Sequence, residues 1–465
     1  MRRGARGLDR RSLRASAERA RPAYERWLKR LVEIPSVSAD PAHRGDVARA
    51  AVLAVEIVES LGGRARVVET PGHPLVLGEL RAGDGLPTLA LYNHLDVQPA
   101  DREAEGWKTD PFRLVRKNGR YFGRGTTDDK GPALAALFGA AAARRAGVPV
   151  NVRLIWEFEE EIGSPHFEQA LIRLGRHAAA DGVVISDSAW LTRRKPTATA
   201  GLRGMQAFRF LLETAEADAH SGVVGGAARN PIAELMDLMC AIHDARSGRV
   251  KVPGFYDDVA PLTAREREEF RRSGFTVRGF KRDNRLRRLR TEKALEVMER
   301  IWARPTFEVH GLVGGYSGPG WKSIVPARAE VKASCRLVPH QDPDRIGWLI
   351  ASFARKHNAD VVVDVPEGGS PASRGDTSGP LAMAVKRAVA FAFGREPAFI
   401  RDGGTIGAVV VMQRVLRCPV TSLDLSMPDH GYHAPNENFE WAQAKGGMVA
   451  FARLVEEFAA TRGAS

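Results

Sequence analysis

At 465 residues the chain exceeds what one ordinary hydrophobic core organises, so roughly two or three domains are expected. A hydrophobic share of 44% and a charged share of 27% exclude the disordered and fibrous classes. The net charge of +13 raises the question of nucleic acid, but the densest basic run, residues 271–290, carries neither a recognised nucleic-acid motif nor an interleaved aromatic platform. It reads as an exposed helix and loop, and nucleic-acid binding is disfavoured.

No apolar stretch reaches the ~18 to 20 residues of a bilayer-spanning helix, since the Ala-rich run 132–143 ends at Arg144 and Arg145; no membrane association is expected. Cys240, Cys335 and Cys418 are widely separated and form no CxxC pair, which indicates neither a disulfide framework nor a thiolate zinc site. A reducing, cytoplasmic setting is expected. Residues 1–22, rich in arginine and poor in acids, loosely resemble an organelle transit peptide but lack the apolar segment of a secretory signal; a frayed basic extension is favoured over targeting.

Trp27, Leu28, Leu31 and Val32 recur at helical spacing and predict a helix over 24–34, stopped by Pro35. A second helix over 47–61 closes at Gly62 and Gly63, and short strands over 66–69 and 75–80 come next. Residues 88–92, 152–158 and 183–186 are short aliphatic or aromatic runs with polar flanks, the pattern of strands buried on both faces of a mostly parallel sheet. Helices over 132–143 and 167–174 lie between them. This alternation predicts an α/β, doubly wound layer whose ligand site gathers beyond the carboxyl ends of the strands. After Gly201 the texture changes to alternating strands over 206–213, 306–313 and 329–337, with helices over 231–245 and 344–356. An inserted α+β unit is expected there. Residues 367–380 read as a return linker, succeeded by a helix over 381–393 and a buried strand over 420–425. The expected division is 1–198, 199–374 and 375–465, the outer two forming one domain.

The residues just beyond each buried strand carry the chemistry. Asn93-His94-Leu95-Asp96 stands after the first, Glu159-Glu160-Glu161 after the second and Asp187 after the third; Gly125-Thr126-Thr127-Asp128-Asp129-Lys130-Gly131 precedes a helix, and the last strand leads to His433. Taken singly, each piece has an ordinary structural reading, as a surface pair, a solvated acidic face or a helix cap. Together they load one crevice with ionisable groups, which is costly unless a cation compensates. Imidazole and oxygen donors without cysteine suit zinc, with manganese or cobalt as alternatives, and two histidines with three carboxylates hold two divalent ions if one carboxylate bridges.

The segments Tyr92-Asn93-His94-Leu95-Asp96-Val97-Gln98-Pro99, Gly123-Arg124-Gly125-Thr126-Thr127-Asp128-Asp129-Lys130-Gly131-Pro132 and Glu160-Glu161-Ile162-Gly163-Ser164 stand in the order of three signature motifs. They are joined by Ser186-Asp187, Gly201-Leu202-Arg203-Gly204, His220-Ser221-Gly222, Lys322-Ser323-Ile324-Val325-Pro326, Arg336-Leu337-Val338-Pro339 and His433. The chain thereby resembles the dinuclear zinc exopeptidases that include carnosine dipeptidase, aminoacylase, succinyl-diaminopimelate desuccinylase and bacterial glutamate carboxypeptidase, and is most similar to the dipeptidase branch.

The resemblance implies a catalytic domain of 1–198 and 375–465 with an inserted lid and dimerisation domain of 199–374. It implies that Asp128 bridges two metal ions, with His94 and Asp187 on one and Glu161 and His433 on the other. Asp96 would orient His94, and Glu160 would be the general base. His220 would reach the site across a homodimer and stabilise the oxyanion; Arg336 would clamp a substrate carboxylate, and Ser323 and Thr405 would help bind substrate. The expected activity is metal-dependent hydrolysis of the amide bond in dipeptides or related small carboxylate-bearing substrates. One alternative is an N-acyl amino-acid deacylase or desuccinylase of the same family. The other is an inactive scaffold or basic nucleic-acid-binding protein, against which the complete donor set speaks.

Overall fold

The three apolar runs fold into adjacent strands of one sheet. In the computed structural model, which describes residues 8–404 and 406–462, the strand Thr88–His94 lies between Asn151–Glu157 and Gly182–Ile185, parallel to both. Val420–Ser422 adds a further parallel strand beyond Gly182–Ile185. Leu75–Leu80 and Arg64–Val68 complete the other side in antiparallel pairing. The six-stranded sheet is therefore mixed, with its parallel part at the centre and one end.

Strand alternation divides the packing between two faces. Leu89 and Leu91 point into a core shared with helices Arg10–Val32, Arg44–Ser60, Lys130–Arg145, Pro380–Phe393 and Trp441–Arg462. Ala90 and Tyr92 point into a second core with Phe167, Leu171 and Leu174 of helix Phe167–Leu174 and with Ala408, Val409 and Met412 of helix Gly407–Leu416. Helices on both faces make this the doubly wound α/β layer that the alternation predicts. The chain leaves Thr88–His94 toward one neighbouring strand and later returns to the other, so the crevice at the carboxyl end of Thr88–His94 is the topological switch point.

The amino-terminal expectation is corrected. Arg10–Val32 is one continuous helix, capped by Asp9, whose carboxylate accepts from the Ser12 amide at 2.8 Å. Leu13 and Ala17 extend the three-to-four-residue spacing of Tyr24, Trp27, Leu28 and Leu31 and are buried in the same core. Arg10 and Arg14 each donate to the Ala392 carbonyl at 3.1 Å. A basic composition concealed these apolar positions ahead of the obvious run, and Pro22 is accommodated inside the helix. Residues 1–7 lie outside those described.

The second unit is an antiparallel sheet ordered Thr306–Gly314, Arg328–Leu337, Gly204–Glu213, Val362–Asp364. Phe208, Phe210 and Leu212 alternate inward along Gly204–Glu213 and bury against Leu235, Leu238 and Ile242 of helix Pro231–Ile242 and Ile346 and Ile350 of helix Pro343–His357. A three-stranded sheet not foreseen from the sequence joins Thr197–Leu202 to Ala398–Asp402 in parallel and to Ser373–Arg374 in antiparallel pairing. The small residues of Thr197–Leu202 hide a strand, and Ser373–Arg374 falls in the stretch expected to be a linker. Among the described residues no helix is long and apolar enough to cross a membrane.

Helices Lys130–Arg145 and Trp441–Arg462 touch closely at Gly139, where an added Cβ would stand 2.6 Å from the Met448 carbonyl and 2.7 Å from Phe451 Cβ. Gly139→Val should therefore force apart the helix that carries the Asp128 loop, costing about 1–3 kcal/mol by overpacking. A lowered thermal unfolding midpoint is the expected readout; an unchanged midpoint would mean the two helices separate freely.

Candidate metal centre

The donors lie at element ends or on the loops between elements. His94 ends its strand; Glu160 and Glu161 open the short turn Glu160–Ile162 after Asn151–Glu157; Asp187 lies just past Gly182–Ile185. Asp128 stands just before helix Lys130–Arg145, and His433 lies on the loop between Val420–Ser422 and Asn438–Glu440.

These segments converge. His94 Nε2 is 3.0 Å from Asp128 Oδ1 and 3.7 Å from Asp187 Oδ2. His433 Nε2 is 3.0 Å from Asp128 Oδ2 and 3.1 Å from Glu161 Oε2. Asp128 thus turns one carboxylate oxygen toward each imidazole. Although Asp128 Oδ2 is this close to His433, it makes no well-directed hydrogen bond. Atoms from His94, Glu160 and Asp187, and from His94, Asp128 and Glu161, form two groups, each gathered within 4.8 Å.

The charges strain against burial. Removal from water pushes Asp187 up to about 7 and Glu160 well above the usual carboxylate range. Burial would also raise Asp128, but the His433 and His94 imidazoles against its two oxygens hold it below its ordinary value. The Asp128 and Glu161 partners lift His433 to about 10. Burial would lower His94, yet Asp128 and Asp96 raise it well above an ordinary imidazole. Four carboxylates converging on two imidazoles, with an oxygen aimed inward but undirected in hydrogen bonding, fit divalent cations with oxygen and nitrogen ligands.

Asp96 holds this half together. Its Oδ1 accepts from the Glu160 amide at 3.3 Å, and its Oδ2 from the Glu161 amide at 3.0 Å and from Ser38 Oγ at 2.7 Å. His94 Nδ1 lies 3.4 Å from Asp96 Oδ1 and 3.1 Å from the Asp96 carbonyl. One carboxylate therefore sets both the imidazole ring and the turn bearing Glu160 and Glu161.

Residues 90–457 match the model of peptidase family M20/M25/M40. The chain belongs to this family. It is 32% identical over 449 residues to the Beta-Ala-His dipeptidase of Homo sapiens, covering 91% of this chain and 88% of that protein. It is 33% identical over 457 residues to the Cys-Gly metallodipeptidase dug1 of Schizosaccharomyces pombe, covering 93% and 94%. Human carnosine dipeptidase 1 superposes with a TM-score of 0.82 at 31% identity, over 97% of this chain and 98% of that one.

The remaining residues singled out in this M20/M25/M40 peptidase lie elsewhere. Arg336 sits on Arg328–Leu337, opposite Met205 and Thr306, and lines a large cavity of the second unit. His220 is exposed, pairs with Ile324 and accepts from the Gly222 amide at 2.9 Å; no carboxylate of the described residues is within 4.0 Å of it. Ser323 is exposed beside it, its carbonyl accepting from the Ser221 amide at 2.9 Å. Thr405 lies outside the described residues.

Glu437 received no role from the sequence, although its spacing of four residues from His433 was visible. Fully buried, its carboxylate accepts from the amides of Gly125 at 2.9 Å, Thr127 at 2.8 Å and Asp128 at 3.1 Å, and from Arg124 at 3.0 Å. It ties the His433 loop to the Asp128 loop. Glu437→Ala would leave the Arg124 guanidinium and three amides buried without this acceptor, a loss of about 3–5 kcal/mol. Thermal unfolding should shift down and bound metal should fall, measured by elemental analysis; full metal retention at an unchanged midpoint would deny the tie.

Proposed function

We propose that this peptidase is a dinuclear metallodipeptidase, hydrolysing the amide bond of dipeptides and related small carboxylate-bearing substrates. The observation that carries the reading is Asp128, with an oxygen 3.0 Å from each of two imidazoles that face further carboxylates. His94 and Asp187 would hold one ion and Glu161 and His433 the other, with Asp128 shared between them. Zinc suits this donor set first, with manganese or cobalt as alternatives. Two divalent ions held there would supply Lewis-acid polarisation of a scissile carbonyl and a water of lowered pKa.

Glu160 takes the proton from the attacking water and returns it to the leaving amine. Asp96 keeps His94 oriented. His220 of the partner subunit donates to the developing oxyanion, Arg336 makes a planar paired contact with the substrate carboxylate, and Ser323 and Thr405 contribute further substrate hydrogen bonds.

The homodimer is supported by the sheet edge: among the described residues Thr306–Gly314 is paired on one side only, and it exposes Val309, Leu312 and Val313, with Trp321 fully exposed nearby in the chain. The domain reading is a catalytic unit of 1–198 and 375–465 around a lid and dimerisation unit of 199–374, and it is supported by separate hydrophobic cores. A cytoplasmic location is supported by three free cysteines.

Assays of unblocked dipeptides and N-acyl amino acids with zinc, manganese or chelator test the reading. Dipeptides should turn over faster, and chelation should abolish turnover; no turnover with metal would indicate a scaffold. Glu160→Gln should keep its metal and lose about 100-fold or more in kcat, and wild-type activity in that variant would remove Glu160 from its role. His220→Ala should lower turnover at unchanged metal content.

A further inference from the structure

A large cavity of about 1030 Å³ lies in the second unit, and none of the metal-centre donors lines it. It is at the upper end of the range for small-molecule sites, roughly 300–1,000 Å³, and exceeds what a plain dipeptide fills. Arg336 stands on its sheet wall, and Arg203 lines it from the junction between Thr197–Leu202 and Gly204–Glu213. The Arg203 main chain also reaches the loop before residue 405, donating to the Asp402 carbonyl at 3.3 Å.

The charge of this cavity is unbalanced. Six arginines and three glutamates line it. Glu296 is engaged by Arg300 at 3.2 Å, and Glu299 by Arg267 from outside the lining at 3.0 Å. Glu308 offsets Arg203, whose guanidinium burial and the neighbouring Arg336 charge push down to about 10. Arg249, Arg290 and Arg304 have no carboxylate of the described residues within 4.0 Å. Arg249 lies over the Tyr256 ring at 6.0 Å, and Arg290 reaches the Ala245 carbonyl at 3.4 Å. Three guanidiniums on a concave wall, interleaved with Tyr256, Phe280 and Leu289, present a positive field beside an apolar surface.

We propose that this wall receives a second anionic group of the substrate, so that the enzyme prefers dipeptides whose carboxyl-terminal residue carries an acidic side chain. The inference rests on the dipeptidase reading, in which Arg336 of the same cavity takes the substrate α-carboxylate. The side chain next to that carboxylate then extends along the cavity toward Arg249, Arg290 and Arg304. Its methylenes contact the apolar wall, and its carboxylate meets guanidiniums whose planar forks match it.

The test compares kcat/KM for Ala-Glu and for Ala-Gln, nearly equal in shape, on the metal-loaded enzyme. The ratio should favour Ala-Glu by about tenfold and shrink with added salt. In the double variant Arg290→Ala, Arg304→Ala the ratio should approach one, while Arg290→Lys, Arg304→Lys should retain part of it. A ratio taken within one preparation is insensitive to the fraction of enzyme that is folded. Turnover of both dipeptides with a wild-type ratio near one overturns this inference alone, as does a preference that survives the alanine variant. Absence of turnover on every metal-loaded dipeptide overturns the underlying reading and this inference with it.

Discussion

Carboxylates crowded together and largely buried repel one another when ionised, and the architecture of this protein contains that repulsion. Asp128, Asp187, Glu160 and Glu161 meet at the switch point of the sheet around His94 and His433. Burial raises Asp187 and Glu160, while Asp128 stays low between two imidazoles. Divalent ions held there would turn the same geometry into an asset, because charge held in place need not reorganise during reaction.

Holding such a cluster requires supports that are themselves buried and polar. Asp96 fastens the turn of Glu160 and Glu161, Glu437 fastens the loop of Asp128, and Lys130 fastens the first helix. The Lys130 ammonium donates to the Leu31 carbonyl at 2.9 Å and the Ile34 carbonyl at 3.1 Å, and burial pushes it down to about 7. These contacts join segments far apart in the chain. The helices behind them, packed closely at Gly139, transmit rigidity from the core to the donors.

The second unit brings a different kind of resource. Its sheet is solvated on one face and carries arginines there, and its outer strand leaves an unpaired edge. Neither feature contributes to holding metal. Both face outward from the unit's own core, which is where recognition of substrate and of a second subunit can be built without disturbing the metal centre.

Local pattern in the chain was enough to specify the main elements and the donor types. Apolar runs of the right length marked the three central strands, and His94, Asp128, Glu161, Asp187 and His433 stood at element ends where a doubly wound sheet collects ligands. Period and flanking residues are local properties, so they survive in one dimension. Folding in three dimensions was needed to turn one Asp128 oxygen toward each imidazole, to seat Glu437 in a cradle of amides, and to bury Leu13 and Ala17 of a basic segment as helix. It also brought arginines from 203 to 336 onto a common wall. Those outcomes depend on distances between segments separated by up to hundreds of residues, and only chain packing sets such distances.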